Sequence, residues 1–237
     1  MPAMKAYVSL FRISNLPTVW SNVLAALLLC GEAFSWTSAL ALLMSLSLFY
    51  CAGMALNDIL DAEIDSQQRA ARPIPAGMIT IVQAQRATVL LFVSAFSMLF
   101  TLPHAATAMC AAAVLVGLIV VYDRYHKGNP CSVFLMAGCR VMVYLVAAGG
   151  VTGRFQSSVM LVALCQFGYI VLLSGVARYE NRLPRGFSFP LIPLLLAGIC
   201  LVDGISLALI LRSPLWLLVG VGGTLMTLAG QKFVRGD

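Results

Sequence analysis

The chain has 237 residues; 61% are hydrophobic, only 10% are charged, and the mean hydropathy is +0.94. A soluble domain carries roughly 25% charged residues, so the composition excludes an ordinary soluble protein and points to one that lives in a membrane. The net charge of +6 requires no nucleic-acid partner, because basic residues gathered at one membrane face beside anionic lipid account for it.

Apolar windows of about 20 residues predict an all-α, polytopic protein of about eight transmembrane helices. They fall near 16–35, 37–60, 81–102, 104–123, 132–153, 157–178, 187–211 and 213–233. Pro190, Pro193 and Asp203-Gly204 interrupt the last part of this pattern. Leu28-Leu29-Cys30-Gly31 superficially resembles a lipoprotein cleavage site. The bulky Leu29, with Pro17 and Asn22 in a long first span, argues for a retained helix instead. No linker, low-complexity tract or internal repeat divides the chain, so residues 1–237 are expected to form a single transmembrane domain.

Placing the N-terminus in the cytoplasm puts Lys5, Arg12, Arg69, Arg72, Arg86, Arg124, Lys127, Arg178, Arg182, Arg185, Lys232 and Arg235 on the inner side, 12 of the 15 basic residues. Arg154 and Arg212 fall outside, and Arg140 lies within the fifth span. This asymmetry predicts a cytoplasmic N-terminus and cytoplasmic charged loops at 62–80, 124–131 and 179–186, in an integral, multi-pass protein of a bacterial inner membrane. The seven cysteines are scattered without paired spacing and read as small packing residues.

At the end of the second span, Asn57-Asp58-Ile59-Leu60-Asp61-Ala62-Glu63-Ile64-Asp65 holds four of the nine acidic residues. Asp58, Asp61 and Asp65 recur at i, i+3 and i+7, which stacks them on one helix face; Asn57 sits one turn before Asp61, and Glu63 points away. Converging hard oxygen ligands without His or Cys suit Mg²⁺, which usually brings phosphate oxygens with it. Cations follow directly, in Arg69-Ala70-Ala71-Arg72-Pro73-Ile74-Pro75-Ala76-Gly77. The pattern predicts a site for a diphosphate and its metal at a membrane surface.

The loop after the fourth span reads Tyr122-Asp123-Arg124-Tyr125-His126-Lys127. Asp123 has a simple role open to it, an ion pair with Arg124 or Lys127. Arg140, one or two turns inside the fifth span, needs a partner or a polar cavity; the carboxylates of the second span are the obvious partners, directly or through a phosphate, and a structural ion pair is the alternative. Asn22 either orients a ligand or makes an interhelical hydrogen bond. Tyr122, Tyr144, Tyr169, Tyr179, Phe49 and Tyr50 offer π-faces to a cation, or they belong to the interfacial aromatic belt.

The run Asn57-Asp58-x-x-Asp61-x-x-x-Asp65 with Arg69-x-x-Arg72-Pro73-Ile74-Pro75-x-Gly77 resembles the first signature of the UbiA superfamily of intramembrane prenyltransferases. Residues 122–127 are similar to the family's Tyr-to-Lys segment, and Arg12-Ile13-Ser14-Asn15-Leu16-Pro17-Thr18 to its opening helix. The short length and Gly138-Cys139-Arg140 resemble the EboC-like branch. The resemblance implies helices around a central cavity and an enzyme that moves an isoprenoid chain from a prenyl diphosphate to a lipophilic acceptor, with Mg²⁺ as cofactor and lipid as surroundings. It implies Asn57, Asp58, Asp61 and Asp65 as metal ligands, Asp58, Asp61, Asp65 and Lys127 as the catalytic set, and Asn57, Arg69, Arg72, Lys127, Arg140 and Arg178 as diphosphate contacts. The departure is at the sixth span, where the family's D-x-x-x-D becomes Val176-Ala177-Arg178-Tyr179-Glu180. Glu180 is then the remaining metal ligand there, and Arg178 a direct neutraliser of phosphate. A non-catalytic member that binds or helps to transport an isoprenoid-linked metabolite is the alternative. An ion transporter fits less well, because the carboxylates sit at one face and not at the midplane.

Overall fold

A computed structural model describes residues 2–31, 35–180, 182–183 and 187–234. Arg185 and Arg235 of the predicted inner face lie outside these residues, as do residues 32–34 and part of the 179–186 loop. Nine α-helices are described: α1 Pro2–Leu10, α2 Leu16–Leu29, α3 Trp36–Gln68, α4 Ile81–Leu99, α5 Ala105–Tyr125, α6 Ser132–Thr152, α7 Ser157–Glu180, α8 Leu191–Ile210 and α9 Leu217–Gln231. Seven are long and apolar enough to cross a membrane, counting the 3-10 turn that leads into α9, and the shorter apolar segment Ile13–Leu29 makes an eighth. This is the all-α polytopic architecture that the hydropathy predicts.

Local chemistry sets the helix ends. α2 has Pro17 in its first turn and stops well short of the expected residue 35, where Gly31 takes φ +69°. Ser35 caps α3 by accepting the Ser38 N–H at 3.1 Å. Thr80 and Gln83 form a reciprocal capping box at α4, with bonds of 3.2 and 3.0 Å. The expected second span, 37–60, is too short. α3 has 33 residues and runs about 50 Å at 1.5 Å per residue, against a hydrocarbon core of about 30 Å. It therefore carries the whole acidic motif as helix before the Pro73 turn ends the run.

α2 occupies the middle of the bundle and touches α3, α6, α7, α8 and α9. It is buried on most sides, as a helix enclosed by others should be, and its few polar residues, Thr18, Ser21 and Asn22, are buried too. Around it, α3 packs on α4, α5 on α6, α6 on α7, and α8 on α9. Large side chains such as Val89, Leu90, Leu161, Leu164, Leu209 and Leu218 remain exposed on the outside, a surface suited to lipid.

α1 is a helix that the hydropathy pattern does not announce. Its Ala6 and Leu10 bury against Ala55 of α3, Ala84 of α4, and Ile74 and Ile79 of the α3–α4 connector. The connector is thus a packed cap over the polar end of α3, tied by the Met78 N–H to the Pro73 carbonyl at 3.0 Å.

The expected break at Asp203-Gly204 does not occur, since α8 runs through it. Gly204 serves close approach instead: a Cβ there would lie 2.7 Å from the Gly220 Cα, and one on Gly220 would lie 2.8 Å from the Cys200 carbonyl. Small residues let membrane helices meet backbone to backbone. Gly204→Leu is expected to force α8 from α9 at a cost of about 1–3 kcal/mol, seen as a lower melting temperature in detergent. An unchanged melting temperature would show that the contact contributes little.

Candidate active site

The polar end of α3 holds its three aspartates on the buried face. Asp58, Asp61 and Asp65 are 4%, 8% and 5% exposed, while Glu63 faces outward. Buried carboxylates require partners, and the fold brings cations from three other segments. Arg12, in the turn between α1 and α2, places Nη2 3.0 Å from Asp58 Oδ1. Its backbone is left-handed at φ 45°, a conformation that costs on the order of 1 kcal/mol for a non-glycine residue. Arg72, from the first turn of the cap, bridges Asp58 Oδ1 at 3.2 Å and Asp65 Oδ2 at 2.5 Å through Nη1. Lys127, beyond α5, sets Nζ 2.6 Å from Asp61 Oδ1, and His126 Nε2 lies 3.5 Å from Asp61 Oδ2. The His126 ring stacks on Tyr122 with centroids 5.1 Å apart.

Asp123 departs from the simple ion pair with Arg124 or Lys127. α5 stays helical to Tyr125, which turns Asp123 inward towards α3 and leaves Arg124 exposed. Asp123 Oδ1 accepts a hydrogen bond from Asn57 Nδ2 at 3.1 Å.

Four other predicted residues are placed differently. Arg69 stays exposed, and its N–H closes α3 on the Asp65 carbonyl at 2.7 Å. Arg178 Nη2 donates to the Asn129 carbonyl at 2.9 Å and Ser132 Oγ at 2.6 Å, so it fastens the connector that carries Lys127. Glu180 Oε1 accepts the Phe187 N–H at 3.2 Å. With Phe187, Pro190, Leu194 and Lys232 it lines a cavity of about 600 Å³ between the α7–α8 junction and α9. No hydrogen bond or ion pair among the described residues joins Glu180 to the aspartates of α3. Arg140 does not pair directly with those aspartates either: Nη1 donates to Thr18 Oγ1 at 3.2 Å and Asn22 Oδ1 at 3.0 Å.

Arg140 is one end of a second polar chain inside the bundle. Asn22 Nδ2 donates to Asp203 Oδ2 at 2.7 Å and to the Tyr144 hydroxyl at 2.8 Å. Ser21 Oγ donates to Asp203 Oδ2 at 2.6 Å, and the Tyr144 hydroxyl donates to Asp203 Oδ1. Tyr144 and Asp203 are fully buried. Tyr169 is tied to the Leu195 carbonyl at 2.7 Å and Tyr179 is largely exposed. Among the candidate aromatics, Tyr122 and Tyr50, whose hydroxyl lies 3.5 Å from the Arg12 carbonyl, stand nearest the charged cluster. Arg12 and His126 were not singled out by sequence as site residues. The signal for His126 is its place beside Lys127; for Arg12 it is its place at the head of the opening run Arg12–Thr18.

The donor set fits Mg²⁺ with a diphosphate. It consists of hard oxygens, and Asp123 Oδ2 is buried without a hydrogen-bond partner. Among the described residues no three His, Cys, Asp or Glu side chains converge closely enough to hold an ion unaided. Mg²⁺ ordinarily takes only one or two carboxylates and completes its shell with water and phosphate.

The fold and this site define a polytopic helical membrane protein with a carboxylate and guanidinium cluster at one end of its bundle. The chain belongs to the UbiA prenyltransferase family, which it matches over residues 15–235. It is 29% identical over 130 residues to protoheme IX farnesyltransferase 1 of Shewanella woodyi, covering 54% of this chain and 43% of that protein. It is 34% identical over 130 residues to digeranylgeranylglyceryl phosphate synthase of Halobacterium salinarum, covering 55% and 43%. The chain thus spans about half the length of the curated relatives it matches. A solved digeranylgeranylglyceryl phosphate synthase structure superimposes with a TM-score of 0.67 at 19% identity, over 98% of this chain and 88% of that one. A UbiA homologue from Archaeoglobus fulgidus bound to DMAPP and Mg²⁺ superimposes with a TM-score of 0.63 at 14% identity, over 92% and 85%.

Proposed function

We propose that this protein is an integral-membrane prenyltransferase that moves an isoprenoid chain from a prenyl diphosphate to a lipophilic acceptor, with Mg²⁺ as cofactor. The observation that carries the reading is the buried row Asp58, Asp61 and Asp65, already interleaved with Arg12, Arg72 and Lys127. A cluster with both signs preassembled suits a ligand that itself combines phosphate anions with metal cations. The basic residues support a cytoplasmic N-terminus and a cytoplasmic site, and Gly138-Cys139-Arg140 supports the EboC-like branch.

Asn57, Asp58, Asp61 and Asp65 would hold the metal, which when bound supplies Lewis-acid neutralisation of the leaving diphosphate. Arg72 and Lys127 would turn from carboxylate to phosphate and donate charge-assisted hydrogen bonds as negative charge leaves with the C–O bond. Arg12 is placed to join them. The α1 and connector cap would exclude water from the donor carbon, while Tyr122 offers an aromatic face. Arg140, held by Thr18 and Asn22, would orient the acceptor or the inner phosphate.

Arg72→Lys is expected to weaken prenyl diphosphate binding about tenfold, or about 1.4 kcal/mol, because an ammonium lacks the planar fork of a guanidinium. Equilibrium binding to reconstituted protein checks this; unchanged affinity would remove Arg72 from the diphosphate site.

The decisive experiment offers prenyl diphosphates of several lengths to lipid-reconstituted protein, with and without Mg²⁺ and with a lipid extract as acceptor pool. Mg²⁺-dependent diphosphate release with a new prenylated species is the expected result. Tight donor binding without release would favour a non-catalytic carrier of an isoprenoid-linked metabolite, a reading supported by Val176 and by Glu180 bonding to Phe187 instead of to the cluster. No donor binding would overturn both.

A further inference from the structure

We infer that Asp123 of α5 is an additional metal ligand of this site and supplies the carboxylate that α7 lacks at Val176. The inference rests on the metal and diphosphate reading above.

The local charge balance singles out Asp123. Asp58 and Asp65 are held by Arg12 and Arg72, and Asp61 by Lys127. Asp123 makes no ion pair among the described residues. It is only 6% exposed; Oδ1 accepts one hydrogen bond, from Asn57, and Oδ2 is buried with no hydrogen-bond partner. Leaving a buried anionic oxygen unmatched is costly, so such an oxygen in a native fold calls for an unfilled role.

Its position says which role. Asn57, its partner, stands one helical turn before Asp61 on α3. His126, just past the end of α5, reaches the same aspartate of α3, with Nε2 3.5 Å from Asp61 Oδ2, while its Nδ1 lies 3.2 Å from the backbone carbonyl of Asp123 one turn back. The Asp123 carboxylate is thus joined to α3 through Asn57, and the end of α5 to Asp61 through His126. Two carboxylates from different elements, with phosphate and water to complete the shell, match what Mg²⁺ takes from a protein.

α7 offers no competing ligand. Val176 has no donor atom, Arg178 is committed to Asn129 and Ser132, and Glu180 to Phe187. Moving a ligand from α7 to α5 keeps the count of hard oxygens while changing the helix that supplies one.

The test uses full-length protein in lipid nanodiscs, with Mn²⁺ as the probe ion, inorganic diphosphate present, and electron paramagnetic resonance reporting bound Mn²⁺. Wild type, Asp123→Asn, Asp123→Glu and Glu180→Gln are compared, and each is melted without metal. Asp123→Asn is expected to weaken Mn²⁺ binding at least tenfold, Asp123→Glu to bind better than the Asn variant, and Glu180→Gln to match wild type. Without metal, Asp123→Asn is expected to melt no lower than wild type, because the isosteric amide removes an unpaired buried charge and still accepts from Asn57. A merely structural aspartate would instead lose melting temperature and keep its Mn²⁺ affinity. Unchanged Mn²⁺ affinity in Asp123→Asn, or a Glu variant that binds no better than it, overturns the inference and leaves the functional reading standing. Wild type that binds no Mn²⁺ with diphosphate overturns the functional reading itself.

Discussion

Asp61→Asn is expected to lower Mg²⁺-dependent prenyl transfer at least a hundredfold while the protein stays folded. Losing a residue that merely supports a metal ligand costs about 10–100-fold, so losing a ligand costs no less. The substitution keeps the size and shape of the side chain, removes its charge and turns one acceptor oxygen into an N–H donor. Its nearer partner, the Lys127 ammonium, belongs to a side chain 39% exposed. Once released it reaches water, so the stability cost is about 1 kcal/mol or less. Diphosphate release measured beside a melting curve separates the two effects. Normal turnover in a folded variant would take Asp61 out of the site, and collapse of the fold would make its role structural.

The second large effect is on stability. Asp203→Ala is expected to destabilise the bundle by about 3–5 kcal/mol, the range for removing one partner from a buried charged cluster. Asp203 is 0% exposed and accepts from Ser21, Asn22 and Tyr144, which joins α2, α6 and α8. Alanine would take the acceptor from the buried Tyr144 hydroxyl and Asn22 amide, while Ser21 keeps the Thr18 carbonyl. Asn22 would also lose the anchor that aims its carbonyl oxygen at Arg140. Asp203→Asn keeps an acceptor oxygen at the same place and is expected to lose less. Thermal unfolding in detergent and in lipid checks the order Ala below Asn below wild type. Equal melting temperatures for all three would mean that the network contributes nothing to folding.

Legibility followed how local each signal is. The spans could be read because hydrophobicity over about 20 residues reports burial in lipid whatever the partner helix. The common face of Asp58, Asp61 and Asp65 followed from helical spacing. α1 escaped because it buries only a small face against the cap and shows no spanning hydropathy. The full length of α3 is not legible in hydropathy, which fades where the polar residues begin although the helix continues through them. Asp203 looked like an interruption because its three donors lie on helices far away in sequence.

The pairing of charges was the least legible part. Sequence distance suggested Lys127 or Arg124 for Asp123, and the acidic end of the second span for Arg140. Neither direct pairing forms, because helix phase turns Asp123 towards Asn57 and bundle packing sets Arg140 beside Thr18 and Asn22. The amino-acid sequence by itself determined the membrane class, the series of long apolar helices and the acidic face, since hydropathy and helical period are properties of short stretches. Only the tertiary structure decided which cation meets which carboxylate and which carboxylate is left without one, because those contacts join residues brought together by the packing of separate helices.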